Sequence, residues 1–132
     1  MAYSNISAAL TVAQKASIKA NIDAIKTILI FLVNLTPQER MKLRKTGNVR
    51  FGYVNDVYKA AVANPTTLPA GFNITEFGKD MQLLSDLTDI MGWLRTLNEG
   101  MDDTLMALGS EVIHQSDEVY GMLKVQAAKS SD

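Results

Sequence analysis

The single histidine of the chain is the first place to look for chemistry. His114 follows Glu111 in the order Glu-x-x-His, a spacing that puts the two side chains on one face of a helix. Di-iron carboxylate bundles use this motif twice, with two further carboxylates on facing helices. Here it occurs once, and the apolar spacing of its helix places Glu111, His114 and Glu118 on the solvent face. We therefore predict no catalytic residue and no metal site.

The absence of cysteine removes further chemistry. The chain has no cysteine, which excludes a thiolate nucleophile, a cysteine-ligated metal and covalently attached haem. A non-covalent haem with His and Met ligands would need His114 to point inward, against the predicted placement. Four methionines recur at apolar spacing and are interpreted as flexible core packing: Met81, Met91, Met101 and Met122. We expect no cofactor.

A basic segment is the strongest candidate for an anion site. Between Arg40 and Arg50 there is no acidic residue, and the segment also holds Lys42, Arg44 and Lys45. Such a cluster could bind phosphate or RNA, but the protein has a net charge of −1 and a pI of about 5.8, unlike most nucleic-acid binders. We interpret the segment as a solvated helix face and expect no nucleic-acid partner.

The charge is divided unevenly along the chain. Residues 1–60 hold nine Lys and Arg against three Asp and Glu, whereas residues 61–132 hold four against eleven. Opposite charges of +6 and −7 attract each other, either within one chain or between two chains packed head to tail.

The first half of the chain contains the start and stop signals of helices. Thr11 with Gln14 resembles a capping box, and the apolar spacing after it predicts a helix from Val12 to Val33. Thr36-Pro37-x-Glu39 starts a second helix, which Gly47 interrupts and Asn64-Pro65 ends after Ala63.

The second half is predicted to form two more helices. Asn73 with Glu76 starts the first, a turn follows at Asn98-Glu99-Gly100, and Asp102 or Asp103 caps the last helix. With 132 residues, the chain is predicted to be one all-α domain, 1–132: an antiparallel up-down-up-down four-helix bundle with an interrupted second helix. The alternative is a single rod, because a heptad repeat from Phe77 continues to Val119 without a register shift.

A group of large apolar residues falls outside the predicted core. Ile30 and Phe31 interrupt a polar helix face, Trp93 interrupts another, and Met41 lies on the short helix between them. We predict an interface here, for a second copy or another protein. Alternatively, the helix from Pro37 to Arg44 covers these residues.

Two functions remain open from the sequence. The first is a non-enzymatic interaction module that forms a dimer or docks a protein partner. The second is a bundle that binds an apolar small molecule. The most apolar run, Ile28 to Val33, is shorter than the roughly 20 residues that span a bilayer. Residues 1–10 contain no Lys or Arg and so lack the basic n-region of a secretory signal, and we expect a cytoplasmic protein without membrane contact.

Several motifs resemble those of a group of small bacterial helical proteins. They are Leu35-Thr36-Pro37-x-Glu39-Arg40, Asn64-Pro65-x-x-Leu68-Pro69, Glu76-Phe77-x-x-Asp80, Asp102-Asp103-Thr104 and Leu108-Gly109-Ser110-Glu111. The resemblance covers most of the chain and implies a helical bacterial protein. It implies no site, because we know no activity, cofactor or partner for that group.

Overall fold

All regular secondary structure in the described part of the chain is helical. A computed structural model describes residues 4–45 and 47–130, except the side chains of residues 48 and 49. Within these residues there is no strand. The elements are α1 (Val12–Ile28), α2 (Pro37–Lys42), α3 (Gly47–Ala63), a 3-10 turn (Pro65–Thr67) and α4 (Ile74–Ser130). The all-α prediction is confirmed, whereas the antiparallel up-down bundle stays a prediction.

Helix α1 begins at Val12 as predicted and ends earlier than predicted, at Ile28 instead of Val33. The amide of Leu29 still donates to the Ile25 carbonyl at 2.9 Å, but the amide of Leu32 donates only three residues back, to Leu29, at 3.2 Å. The residues after Leu29 are mostly β-branched or aromatic, which lose side-chain freedom in a helix and so favour an early end.

The interrupted second helix is confirmed as α2 and α3. The Thr36 hydroxyl accepts a hydrogen bond from the Glu39 amide at 3.2 Å and donates to the Glu39 carboxylate at 3.0 Å, so the predicted N-cap is present. Gly47 opens α3 with a φ of 60°, a conformation that favours glycine. Helix α3 ends at Ala63, directly before Asn64-Pro65.

The predicted turn at Asn98-Glu99-Gly100 is wrong, because α4 runs without interruption for 57 residues. Its start is as predicted, since the Asn73 side chain accepts from the Glu76 amide at 3.0 Å. Asp102 and Asp103 lie inside the helix instead of capping a new one. The rod that the heptad repeat allowed is therefore the structure that forms.

The continuity of α4 has a local physical reason. A glycine costs a helix only about 1 kcal/mol relative to alanine, so Gly100 by itself is a weak signal for a helix end. The Asn98 amide donates to the Asp102 carboxylate at 3.2 Å, and the Thr104 hydroxyl donates to the Gly100 carbonyl at 2.7 Å. All three prolines precede residue 70, so nothing in this stretch forces a break.

The described chain divides into two compact units. One holds residues 13–90, and the other holds residues 4–12 together with 91–130. In the first unit, Tyr58 of α3 meets Phe77 of α4 edge-to-face at 5.3 Å, and Phe72 meets Phe77 at 6.1 Å. In the second unit, the backbone amide of Ile6 donates to the Glu111 carboxylate at 2.6 Å. The prediction of a single domain stays a prediction.

The predicted methionine core is not formed. None of the described residues is buried; Met81 is half-buried, and Met91, Met101 and Met122 are exposed. No described helix combines the length and the apolar character needed to cross a membrane.

Candidate functional site

The Glu111-x-x-His114 face is occupied in part by the chain's own N-terminal segment. Glu111 is half-buried and its carboxylate accepts the hydrogen bond from the Ile6 amide, whereas His114 and Glu118 are exposed. The sequence placed Glu111 in solvent, and the structure corrects this. No group of three or more histidine, aspartate or glutamate side chains suited to a metal ion occurs among residues 4–45 and 47–130.

We expect replacement of His114 by alanine to change the free energy of unfolding by less than about 0.5 kcal/mol, because the side chain is exposed. Thermal unfolding measures this. We also expect elemental analysis of the purified protein to find no stoichiometric iron or zinc. A loss of several kcal/mol, or a tightly held metal, would contradict the surface placement.

An apolar hollow lies within the first unit, beside the 3-10 turn. It has a volume of about 500 Å³, and its lining includes Tyr58, Val62, Leu68, Ile74 and Gly78. Gly78 allows the close approach of α3 and α4. A Cβ at this position would lie 2.6 Å from the Tyr58 hydroxyl and 3.2 Å from its Cζ, so a larger residue requires the ring to move.

The second unit carries a long apolar face on α4. The heptad repeat assigns position a to Met91, Asn98 and Leu105 and continues to Val119. We define the α4 seam as the a and d positions of this unit: Met91, Leu94, Asn98, Met101, Leu105, Leu108, Val112, Gln115, Val119 and Met122. Eight of these ten residues are apolar, over more than four heptads.

Most of the α4 seam is uncovered. Leu108 is half-buried, and every other seam residue is exposed. The N-terminal segment is held at Glu111, a g position that flanks the seam. The a positions on either side, Leu105 and Val112, remain exposed. A shallow hollow over Val112, Val119 and Leu123 extends the same face.

The predicted interface residues are exposed. Ile30 is 85% and Met41 86% exposed, and Phe31 and Trp93 are also exposed. The helix α2 therefore does not cover Ile30, which the sequence left open as an alternative. Ile30, Phe31 and Met41 belong to the first unit and Trp93 to the second. Their joint role as an interface stays a prediction.

The basic segment lies on the surface of the first unit. Arg44, Lys45 and Arg50 are exposed beside Tyr53, and they line a hollow of about 290 Å³. The Arg50 guanidinium donates to the Lys45 carbonyl at 2.9 Å. This placement agrees with a solvated face, and a nucleic-acid partner remains unexpected.

Comparison with known proteins gives no relative from which a site could be transferred. No protein-family model matches the chain, and neither a curated protein nor a solved structure matches it. The candidate site therefore depends on the geometry above. Sequence reasoning had the heptad repeat but assigned its residues to the interior of a bundle, and so missed the exposed seam.

Proposed function

We propose that this protein is a non-enzymatic helical interaction module that self-associates through the α4 seam. The observation that carries this proposal is the exposure of a heptad-spaced apolar face over more than four heptads of one helix. A heptad repeat sustained over this length is typical of a helix that packs against another helix.

The free-energy cost of leaving the apolar side chains of the seam in water supports the same proposal. Complete burial of a leucine, valine or methionine side chain is worth about 1.5–3 kcal/mol. Because the described residues form no buried core, this free energy is not gained within the chain. A second copy offers the same apolar stripe, and a two-fold pair buries seam residues of both copies. The other possible partner is a different protein that has a heptad-spaced apolar helix face of its own.

Sedimentation equilibrium and native mass spectrometry test the proposal. We expect a dimer mass at micromolar concentration, without a bound metal or cofactor. A bare monomer at all concentrations up to the millimolar range would contradict self-association. A complex of one copy of this chain with one copy of a different protein would also contradict self-association. It would favour docking to another partner.

The alternative function is the binding of an apolar small molecule. The hollow beside Tyr58 and Gly78 supports it, because its volume of about 500 Å³ lies within the range of ligand pockets and its lining is mainly apolar. Retention of a small molecule in native mass spectra, at one per chain, would favour this function. The mass of the dimer and the retained small molecule are separate signals, so the two functions are tested separately.

Gly78→Leu is expected to destabilise the protein by about 1–3 kcal/mol, because the new side chain must displace the Tyr58 ring. It should also fill the hollow and abolish retention of any ligand there. Gly92→Leu is the matched control, since a Cβ at Gly92 meets nothing within 4 Å on the same helix.

Chemical denaturation of both variants measures the difference. The control should gain up to about 1 kcal/mol from the higher helix propensity of leucine. Equal stabilisation of the two variants would show that Tyr58 and Gly78 do not approach each other in solution.

A further inference from the structure

We propose that α4 pairs with α4 of a second copy in antiparallel orientation, with Arg95 of each copy beside Asp102 of the other. This inference depends on the proposed self-association and adds the direction and the register of the two helices. The charged residues that flank the α4 seam determine both.

Arg95 and Asp102 occupy the same heptad position in consecutive heptads. Each follows an a residue by four, Met91 and Asn98 respectively, which places both charges at position e on one edge of the seam. The Asn98 side chain donates to the Asp102 carboxylate at 3.2 Å, and this holds the carboxylate next to the seam. Charges at e and g set partner choice and orientation in coiled coils.

One antiparallel register pairs these charges. When Leu94 of one copy lies opposite Leu105 of the other, Met91 lies opposite Leu108 and Asn98 opposite Met101. Within residues 91–108, the part of the seam that the two copies share in this register, each a residue meets a d residue. In antiparallel pairs the e edges face each other. The two-fold axis then brings Arg95 beside Asp102 twice, once on each side of the centre.

The neighbouring registers bring like charges together. A shift of one heptad in one direction sets Arg95 against Arg95 of the second copy, and a shift in the other direction sets Asp102 against Asp102. In a parallel, in-register pair, e residues flank g residues, so Arg95 meets Ile90 and Asp102 meets Leu97. Only the antiparallel register centred between residues 99 and 100 gives both charges an opposite partner.

Cysteine cross-linking tests the orientation in a chain that has no native cysteine. Three samples are oxidised after equilibration under reducing conditions: Leu94→Cys alone, Leu105→Cys alone, and a mixture of the two with a mass tag on one. In the antiparallel register residue 94 lies opposite residue 105. We therefore expect a cross-linked dimer in the mixture, composed of one copy of each variant, and little in either variant alone.

The other outcomes separate the orientation from the proposed function. Cross-linking of each variant alone, with a dimer by sedimentation, indicates a parallel pair and overturns the inference while self-association stands. A dimer that cross-links in no sample also overturns it. A monomer by sedimentation contradicts the proposed function itself.

Charge reversal supplies an independent test. Arg95→Asp should weaken the dimer severalfold, because it sets two aspartates beside the two copies of Asp102. The double variant Arg95→Asp/Asp102→Arg restores opposite charges and should restore the affinity. Failure of the double variant to recover would contradict the pairing of these two residues.

Discussion

Replacement of Leu105 by aspartate is expected to convert the proposed dimer into a monomer. Leu105 lies at an a position near the centre of the α4 seam and is 67% exposed in the single chain. In a two-fold pair the substitution occurs twice, so two leucine side chains lose their burial and two carboxylates enter an apolar interface. We expect a loss of at least about 3 kcal/mol of association free energy, or more than roughly a hundredfold in Kd.

Met106→Asp is the matched control for this change. Met106 is the next residue of the same helix and is 76% exposed, but it occupies position b, outside the α4 seam. The two substitutions therefore place the same charge on comparably exposed sites of the single chain. Sedimentation equilibrium should show a dimer for Met106→Asp and a monomer for Leu105→Asp. The same Kd for both variants would exclude the seam as the interface.

The second large effect is expected from Gly100→Pro, which should destabilise the protein by about 3 kcal/mol or more. Residue 100 lies inside α4, where proline removes a backbone hydrogen bond and clashes with the carbonyl four residues before it. A loss of this size lowers Tm by roughly 10 °C in a domain of this length. Circular dichroism measures the change in Tm and the helix content on each side of the break.

Gly100→Ala completes the test. A Cβ at Gly100 meets nothing within 4 Å, and Gly100 has no positive φ, so alanine should stabilise the helix by about 0.5–1 kcal/mol. If residues 98–100 formed a turn, the effects of the two variants would be reversed, because replacing a glycine of left-handed conformation by alanine destabilises the turn. If Gly100→Pro is tolerated and Gly100→Ala is destabilising, α4 is two helices in solution.

In the proposed dimer, the apolar residues of the α4 seam and the charged residues at its edge have different roles. The apolar residues supply the association free energy, and Arg95 and Asp102 select the register. Exposed ion pairs are worth only up to about 1 kcal/mol each. Their loss should therefore shift the orientation and affinity moderately, whereas the loss of Leu105 should abolish the dimer.

Local features of the structure were accessible from the sequence because they depend on residues close together in the chain. The caps of α2 and α4 satisfy amides three residues away, and the end of α3 follows from the proline after Asn64. The left-handed Gly47 likewise separates α2 from α3. The all-α content and the heptad repeat of α4 also depend only on residues that are close together in the chain.

Other features depend on small differences in conformational free energy, or on contacts between residues that are far apart in the chain. The turn at Gly100 was predicted because glycine and asparagine favour turns, but the cost of glycine in a helix is small, and uninterrupted hydrogen bonding outweighs it. The early end of α1 reflects a similar balance. Neither outcome can be derived from residue preferences that differ by a fraction of a kcal/mol.

The sequence by itself determined the helical class, the position of most helix ends and the spacing of the apolar residues on α4, because periodicity and capping act within a few residues. The tertiary structure alone decided which apolar residues are covered. The contact of Ile6 with Glu111 joins residues 105 positions apart, and the approach of Tyr58 to Gly78 depends on how α3 meets α4. A heptad repeat reports which residues share a face of a helix, but only the packing of the folded chain shows that this face is left exposed.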